Sequence, residues 1–261
     1  MKIAVFLDVD RTLTQDYIQK EYARALECCA EYEEIEKQFQ LKQIDSAQFG
    51  RQIISLFAGK HLTEDKAEDL FRCVSLQPWT DELLALDIDK YLVSSGPSYY
   101  IDPLASKYGI PAKNVCRSTY KFHKHTRLID SCNAVDEQYK ANFVRERVGQ
   151  YDLTIGIGDN AKFDGPFVSH CTIQILTVST QSTLQIQNFG AAIPLINRLS
   201  KLKAPTQTGG FEADNLSFPQ LARSLSIGSW VLLGTLLVAV FGVGAEWSKI
   251  EGFLAQVLRA K

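Results

Sequence analysis

Cysteine and histidine are present, but not in any arrangement that builds a site. The six cysteines, Cys28, Cys29, Cys73, Cys116, Cys132 and Cys171, form no C-x-x-C pair, and the four histidines stand at no ligand spacing to them. A zinc site or a disulfide framework is therefore without support, and reduced thiols are expected. Basic charge is also in short supply. A formal net charge of -2 gives no field for nucleic acid, apart from a local patch such as Lys121 to Arg127, so no nucleic-acid partner is expected. The amino-terminal apolar run ends at Leu7, too short for the core of a signal peptide. The amino-terminal bulk of the chain is accordingly expected in the cytoplasm. Gly156 and Gly158 lack the full spacing of a dinucleotide fingerprint and come late in the chain.

What is present is enough apolar material for a full core: 46% of 261 residues are hydrophobic, sufficient for one large domain or for a domain with an insertion. Lys2 to Leu7 reads as a buried strand of the parallel-sheet kind. From about Asp16 to Leu76, Tyr22, Leu26, Ile35, Phe39, Ile53, Ile54, Phe57 and Leu70 recur at helical spacings, and Thr63 before Glu64 and Asp65 reads as an N-cap. After Pro78 helices and strands alternate: helices near Thr80 to Leu86, Ser98 to Tyr108 and Glu137 to Val148, and strands at Lys90 to Val93, Leu153 to Ile157 and Thr172 to Val178. The expected fold is α/β, a Rossmann-like parallel sheet with a small all-helical cap. The core takes residues 1–15 and 78–200, and the cap takes 16–77.

Residues 201–223 carry Pro205, Gly209, Gly210, Asn215 and Pro219 among polar residues and read as a linker. Beyond it, 224–245 holds no charge, which is long enough to cross a bilayer; Trp230 and Trp247 suit interfacial anchors. A buried or oligomerisation helix is the alternative. The expectation is a single transmembrane helix at 224–245 followed by a short tail at 246–261. It would make the membrane a partner and leave the catalytic domain in the cytoplasm.

Three strand ends carry chemistry. Asp8 and Asp10, at i and i+2 where the first strand stops, can both reach one cation, and magnesium takes hard oxygen ligands. With a cation screening the phosphoryl oxygens, a carboxylate such as Asp8 can attack phosphorus in line, while Asp10 serves as acid and base. Ser94 and Ser95 lie at the next strand end before Gly96, where hydroxyls and N–H groups can meet a phosphate, or simply cap a helix. Asp159 follows the strand ending in Gly158 and would complete a magnesium site, with Asp164 as a further ligand through water or as a group that orients the others. Each segment by itself also reads as an ordinary loop.

In this order, Asp8-Val9-Asp10-Arg11-Thr12, Val93-Ser94-Ser95-Gly96, a lysine and Gly158-Asp159-Asn160-Ala161-Lys162-Phe163-Asp164 resemble the haloacid dehalogenase superfamily, in its phosphoserine-phosphatase-like branch, over residues 1–200. The resemblance implies a phosphatase that uses Mg2+ and an aspartyl-phosphate intermediate on a small phosphorylated substrate. Asp8 would be the nucleophile and Asp10 the acid/base, with its main-chain carbonyl on the metal. Ser94 would bind phosphate and Asp159 the metal. Lys140 is taken as the family's lysine, serving catalysis and phosphate binding, with Lys121, Lys124 and Lys162 as competitors. Arg51 and Asp16 fall near the positions where phosphoserine phosphatases hold their substrate. Arg11 and Ser95 depart from the family's small residues. Transfer to an acceptor other than water, and a membrane-anchored sensor that binds a phosphorylated ligand without turnover, are the alternatives.

Overall fold

The computed structural model describes residues 2–176, together with Ile193 and Ile196. The expected linker, membrane helix and tail therefore lie outside the described residues, as does most of the expected core beyond residue 176. Among the described residues no helix is long and apolar enough to cross a membrane.

The first strand, β1 (Ile3–Leu7), is buried at every position, as a strand covered on both faces must be. It lies between β2 (Asp89–Pro97) and β5 (Leu153–Gly158), parallel to both, and β6 (Ile173–Leu176) continues the parallel sheet beyond β5. On the other side β2 pairs in parallel with β3 (Val115–Phe122), and β3 folds back on β4 (Ile129–Asn133). The order is β4-β3-β2-β1-β5-β6. The sheet is thus mixed, which corrects the parallel sheet expected from the sequence. The β3–β4 hairpin escapes a sequence reading because the inward positions of β3 are Cys116, Ser118 and Tyr120, small or polar residues that make a weak apolar alternation.

The chain builds outward from β1 to β2 and β3, then crosses to β5 and β6 on the other side of β1. The carboxyl ends of β1 and β5 therefore meet where the winding changes direction, the place where open α/β sheets bind ligands. The core beneath contains Phe6 stacked on Tyr91 at 4.6 Å, with Val93, Val144, Phe167 and Val168 around them.

Between β1 and β2 stand four helices: α1 (Ile18–Ala25), α2 (Cys29–Gln40), α3 (Ser46–Gly59) and α4 (Glu64–Phe71). α3 opens on a capping box between Asp45 and Gln48, and Thr63 caps α4 by accepting the Lys66 N–H. The chain leaves and re-enters the sheet layer side by side. Gln15 N–H donates to Ser75, Gln77 N–H donates to Leu13, and the Thr80 hydroxyl donates to the Leu13 carbonyl at 2.7 Å. The hairpin also reaches the helices, since Arg127 in its loop pairs with Glu64 and Asp65 on α4.

The helices α5 (Thr80–Leu84), α6 (Ser98–Lys107) and α7 (Glu137–Val148) follow the alternation read from the sequence, and the short α8 (Gly165–Val168), which that reading did not include, follows β5. Replacing Phe6 by alanine should lower the unfolding free energy by about 3–5 kcal/mol. Urea unfolding should show this as a lower midpoint at unchanged slope; a midpoint equal to that of the wild type would mean that the Phe6–Tyr91 stack does not anchor the core.

Candidate active site

The turn after β1 is wound tightly round one carbonyl. Val9 C=O accepts the N–H groups of Thr12, Leu13 and Thr14, which turns the chain back and leaves Asp8 and Asp10 at the sheet's edge. Arg11 takes the left-handed conformation (φ 61°) that this turn demands, a cost of about 1–2 kcal/mol for a residue with a Cβ. The Thr14 hydroxyl holds it there by accepting the Arg11 N–H and donating to the Asp16 carbonyl.

Asp8 is buried, and the Thr12 hydroxyl donates to its Oδ2 at 3.3 Å. On α7, Asp136 caps the first turn by accepting the Tyr139 N–H, and the next residue, Lys140, points inward. Its Nζ lies 2.9 Å from Asp8 Oδ1 and 2.5 Å from Asp164 Oδ1. Asp164 in turn accepts the N–H groups of Asp159 and Asn160 on its other oxygen. Gly158 makes this approach possible, because a Cβ there would stand 2.5 Å from that of Asp164.

The electrostatics follow from burial. Loss of water raises the Asp8 carboxyl well above its usual range, Asp164 adds repulsion, and Lys140 offsets only part of this. Burial likewise pushes Asp159 up to about 7, with Asp164 contributing and Arg11, 3.6 Å away, opposing. Asp10 is pushed up to about 6 by burial, against the Ile18 N–H that donates to it at 2.7 Å. Burial alone would strip the Lys140 proton, but Asp164 and Asp8 outweigh it and hold the ammonium charged.

One ligand oxygen each from Asp8, Asp159 and Asp164 lies within 4.8 Å of the others, all three residues being buried. Hard oxygens only, closely grouped and buried: this donor set suits a hard divalent cation of the magnesium type.

At the end of β2, Ser94 is buried and its Oγ accepts the Gly96 N–H at 2.8 Å, whereas Ser95 is exposed and lines the cavity over Asp8. A Cβ on Gly96 would lie 3.0 Å from both Asp10 Oδ2 and Ser94 Oγ, so the glycine lets these two groups converge. The structure thus brings Asp8, Asp10, Ser94, Ser95, Lys140, Asp159 and Asp164 to one place. It does not bring Arg51 or Asp16 to the cavity lining. Gly50 lines it, and the next residue on a helix turns by about 100°, which leaves Arg51 exposed. Asp16 pairs instead with Arg24 at 2.7 Å, which lowers its pKa against the effect of partial burial. Of the competing lysines, none lines the cavity.

The sequence reading missed the walls. Phe39 and Phe49 come from α2 and α3, Phe163 from the turn after β5, Tyr17 and Tyr32 from the helical layer, and Ser118 and Tyr120 from the unforeseen β3. The helical periodicity marked Phe39 as apolar but could not say which cavity it would face.

No family model matches the chain, and no curated protein matches it in sequence. Solved structures do match in fold. A haloacid dehalogenase family hydrolase from Salmonella enterica serovar Typhi is 18% identical with a TM-score of 0.57, over 67% of this chain and 62% of that one, so less than two thirds of that protein is spanned. A probable phosphoserine phosphatase from Vibrio cholerae gives a TM-score of 0.58 at 17% identity, over 77% of this chain and 68% of that one. A phosphoserine phosphatase solved as a phospho-aspartyl intermediate analogue gives 0.55 at 19% identity, over 67% and 85%. The chain therefore has the fold of the haloacid dehalogenase superfamily, in the form that phosphoserine phosphatases take.

Proposed function

We propose that the protein is a magnesium-dependent phosphomonoesterase with Asp8 as its nucleophile. The observation that carries the reading is the buried Lys140 ammonium 2.9 Å from Asp8, beside Asp159 at the end of the neighbouring strand. The likeness in fold to phosphoserine phosphatases supports it.

Magnesium would be held by the Asp8 and Asp159 carboxylates and the Asp10 main-chain carbonyl, with Asp164 fixing the group through its three donors. Bound there, it would screen the phosphoryl oxygens. Asp8 then attacks phosphorus in line, the ester P–O bond breaks, and Asp10 gives its proton to the departing oxygen. Asp10 next takes a proton from water as that water attacks the aspartyl phosphate, which releases phosphate and restores Asp8. A pKa of about 6 lets Asp10 do both near neutrality. Lys140 stays charged through both steps and offsets the phosphoryl charge; Ser94 and Ser95 supply hydroxyls at the same strand end.

With Mg2+, the full-length protein should release phosphate from a phosphate monoester, and Asp8→Asn should cut kcat by at least about 1,000-fold. Equal activity in the mutant would sink the assignment.

The folded-state values of Asp10 and Asp159 lie above the ordinary carboxylate value of about 4, so the metal-free fold holds protons that the unfolded chain releases. Their contribution to stability is fully present below about pH 4 and is lost as pH rises through 6 and 7. A cation binds the ionised forms and removes that loss. The rise in Tm on adding Mg2+ should therefore be larger at pH 8 than at pH 5, and equal rises at both would contradict a carboxylate-bound metal.

The uncharged run 224–245 supports a membrane tether for this enzyme. Full-length protein should float with phospholipid vesicles, while protein lacking residues 224–261 should stay at the bottom of the gradient; no difference between the two would remove the tether.

A further inference from the structure

The cavity over Asp8 is walled by rings and is nearly without positive charge. Phe39 stands 4.8 Å from Phe49 and stacks on Phe163 at 5.5 Å with 15° between the planes, so one ring from the helical layer lies against one from the sheet layer at the cavity's edge. Tyr17, Tyr32 and Tyr120 add three more aromatic faces. Among the described residues that line the cavity, Lys140 is the only cation, and its ammonium is held by Asp8 and Asp164. Arg11, the next guanidinium in reach, is turned to Asp159 at 3.6 Å and to the Tyr17 hydroxyl at 3.4 Å.

On the helical side the charge facing the cavity is an acid. Glu36 on α2 is half-buried, and burial raises its carboxyl above the usual range although Lys20 pulls the other way. A phosphate ester that also carries a carboxylate would bring that group into a ring-lined space beside Glu36, where the one cation among the described lining residues, Lys140, is already held by two carboxylates and Arg11 is turned to Asp159. An anion stripped of water and left unpaired is among the most unfavourable placements in a protein. A flat apolar group meets the rings with no such cost.

We propose that the substrate is a phosphate monoester whose leaving group is uncharged and presents an apolar or aromatic face to Phe39, Phe49 and Phe163, and that esters with a carboxylate beside the phosphate are turned away. This rests on the hydrolase reading of Asp8. It also separates this chain from its structural neighbours of the phosphoserine phosphatase type, whose fold it has but whose substrate its cavity is not lined to hold.

The test compares 2-phenylethyl phosphate with O-phosphoserine, since both release a primary alcohol and differ chiefly in what the pocket must hold; phosphoethanolamine is the third arm. With Mg2+, the full-length protein should favour the phenylethyl ester in kcat/KM by at least about tenfold. Glu36→Arg should lower KM for O-phosphoserine and shrink the preference for the phenylethyl ester in kcat/KM by at least about fivefold; an unchanged preference would overturn the role of Glu36. A preference for O-phosphoserine or for phosphoethanolamine would overturn the proposal. Calorimetric titration of the same esters into the Asp8→Asn protein reads binding apart from chemistry. Tighter binding of the phenylethyl ester supports the proposal, and binding of neither, or of O-phosphoserine at least as tightly, overturns it. Should the wild type hydrolyse none of the three while the titration keeps the preference, the hydrolase reading falls and the assignment of the pocket stands.

Discussion

An ammonium group taken out of water has to be surrounded by counter-charge, and Lys140, at 2% exposure, is met by Asp8 and Asp164. The three side chains come from α7, from the end of β1 and from the turn after β5, so this one contact fixes a helix and two strand ends against each other. Removing Lys140 would leave two buried carboxylates without their shared cation, and breaking a buried pair in this way costs about 3–5 kcal/mol in proteins. The same contact keeps Asp8 ionisable in a place where burial works against it. Gly158 is part of the arrangement, because only a residue without a Cβ lets Asp164 close on the strand end.

Asp10 forms the second tie, between the layers. α1 has no side-chain cap of its own at Tyr17, and the Ile18 N–H donates instead to the Asp10 carboxylate. The first helix of the insertion is thereby seated on a group that the proposed chemistry uses. The paired segments at Leu13–Gln15 and Ser75–Gln77 hold the two crossings together, and the rings of Phe39 and Phe163 meet at the far side of the cavity. The helical layer therefore touches the site at Asp10 and at its walls, where the leaving group would lie in the proposed reaction.

The strand ends were legible because their chemistry is local. An apolar run that stops at Asp8 and Asp10, another that stops at Ser94, and a third that stops at Asp159 each place polar groups at the edge of a buried sheet, and the alternation of strand and helix is written in residue spacing. Lys140 was legible only in part. Its neighbours Gln138 and Tyr139 are exposed, and nothing in the local sequence distinguishes a lysine pointing inward from one in solvent. The cap at Asp136 sets the rotation of α7, and that rotation selects Lys140. Arg51 shows the reverse. It stands in the sequence where a substrate cation is expected, yet Gly50 takes the inward position and Arg51 faces water.

By itself the sequence determined the α/β class, the insertion of helices after the first strand, and the order in which Asp8, Asp10, Ser94 and Asp159 arrive, since these depend on periodicity and on residues adjacent in the chain. Only the tertiary structure decided that β4 runs against β3, that Lys140 reaches Asp8 and Asp164 in one buried group, and that rings and Glu36 line the space above them. The last two join residues more than a hundred positions apart, such as Phe39 with Phe163 and Asp8 with Lys140. Contacts of that kind are set by how helices rotate and layers pack, which the local pattern of a chain does not record.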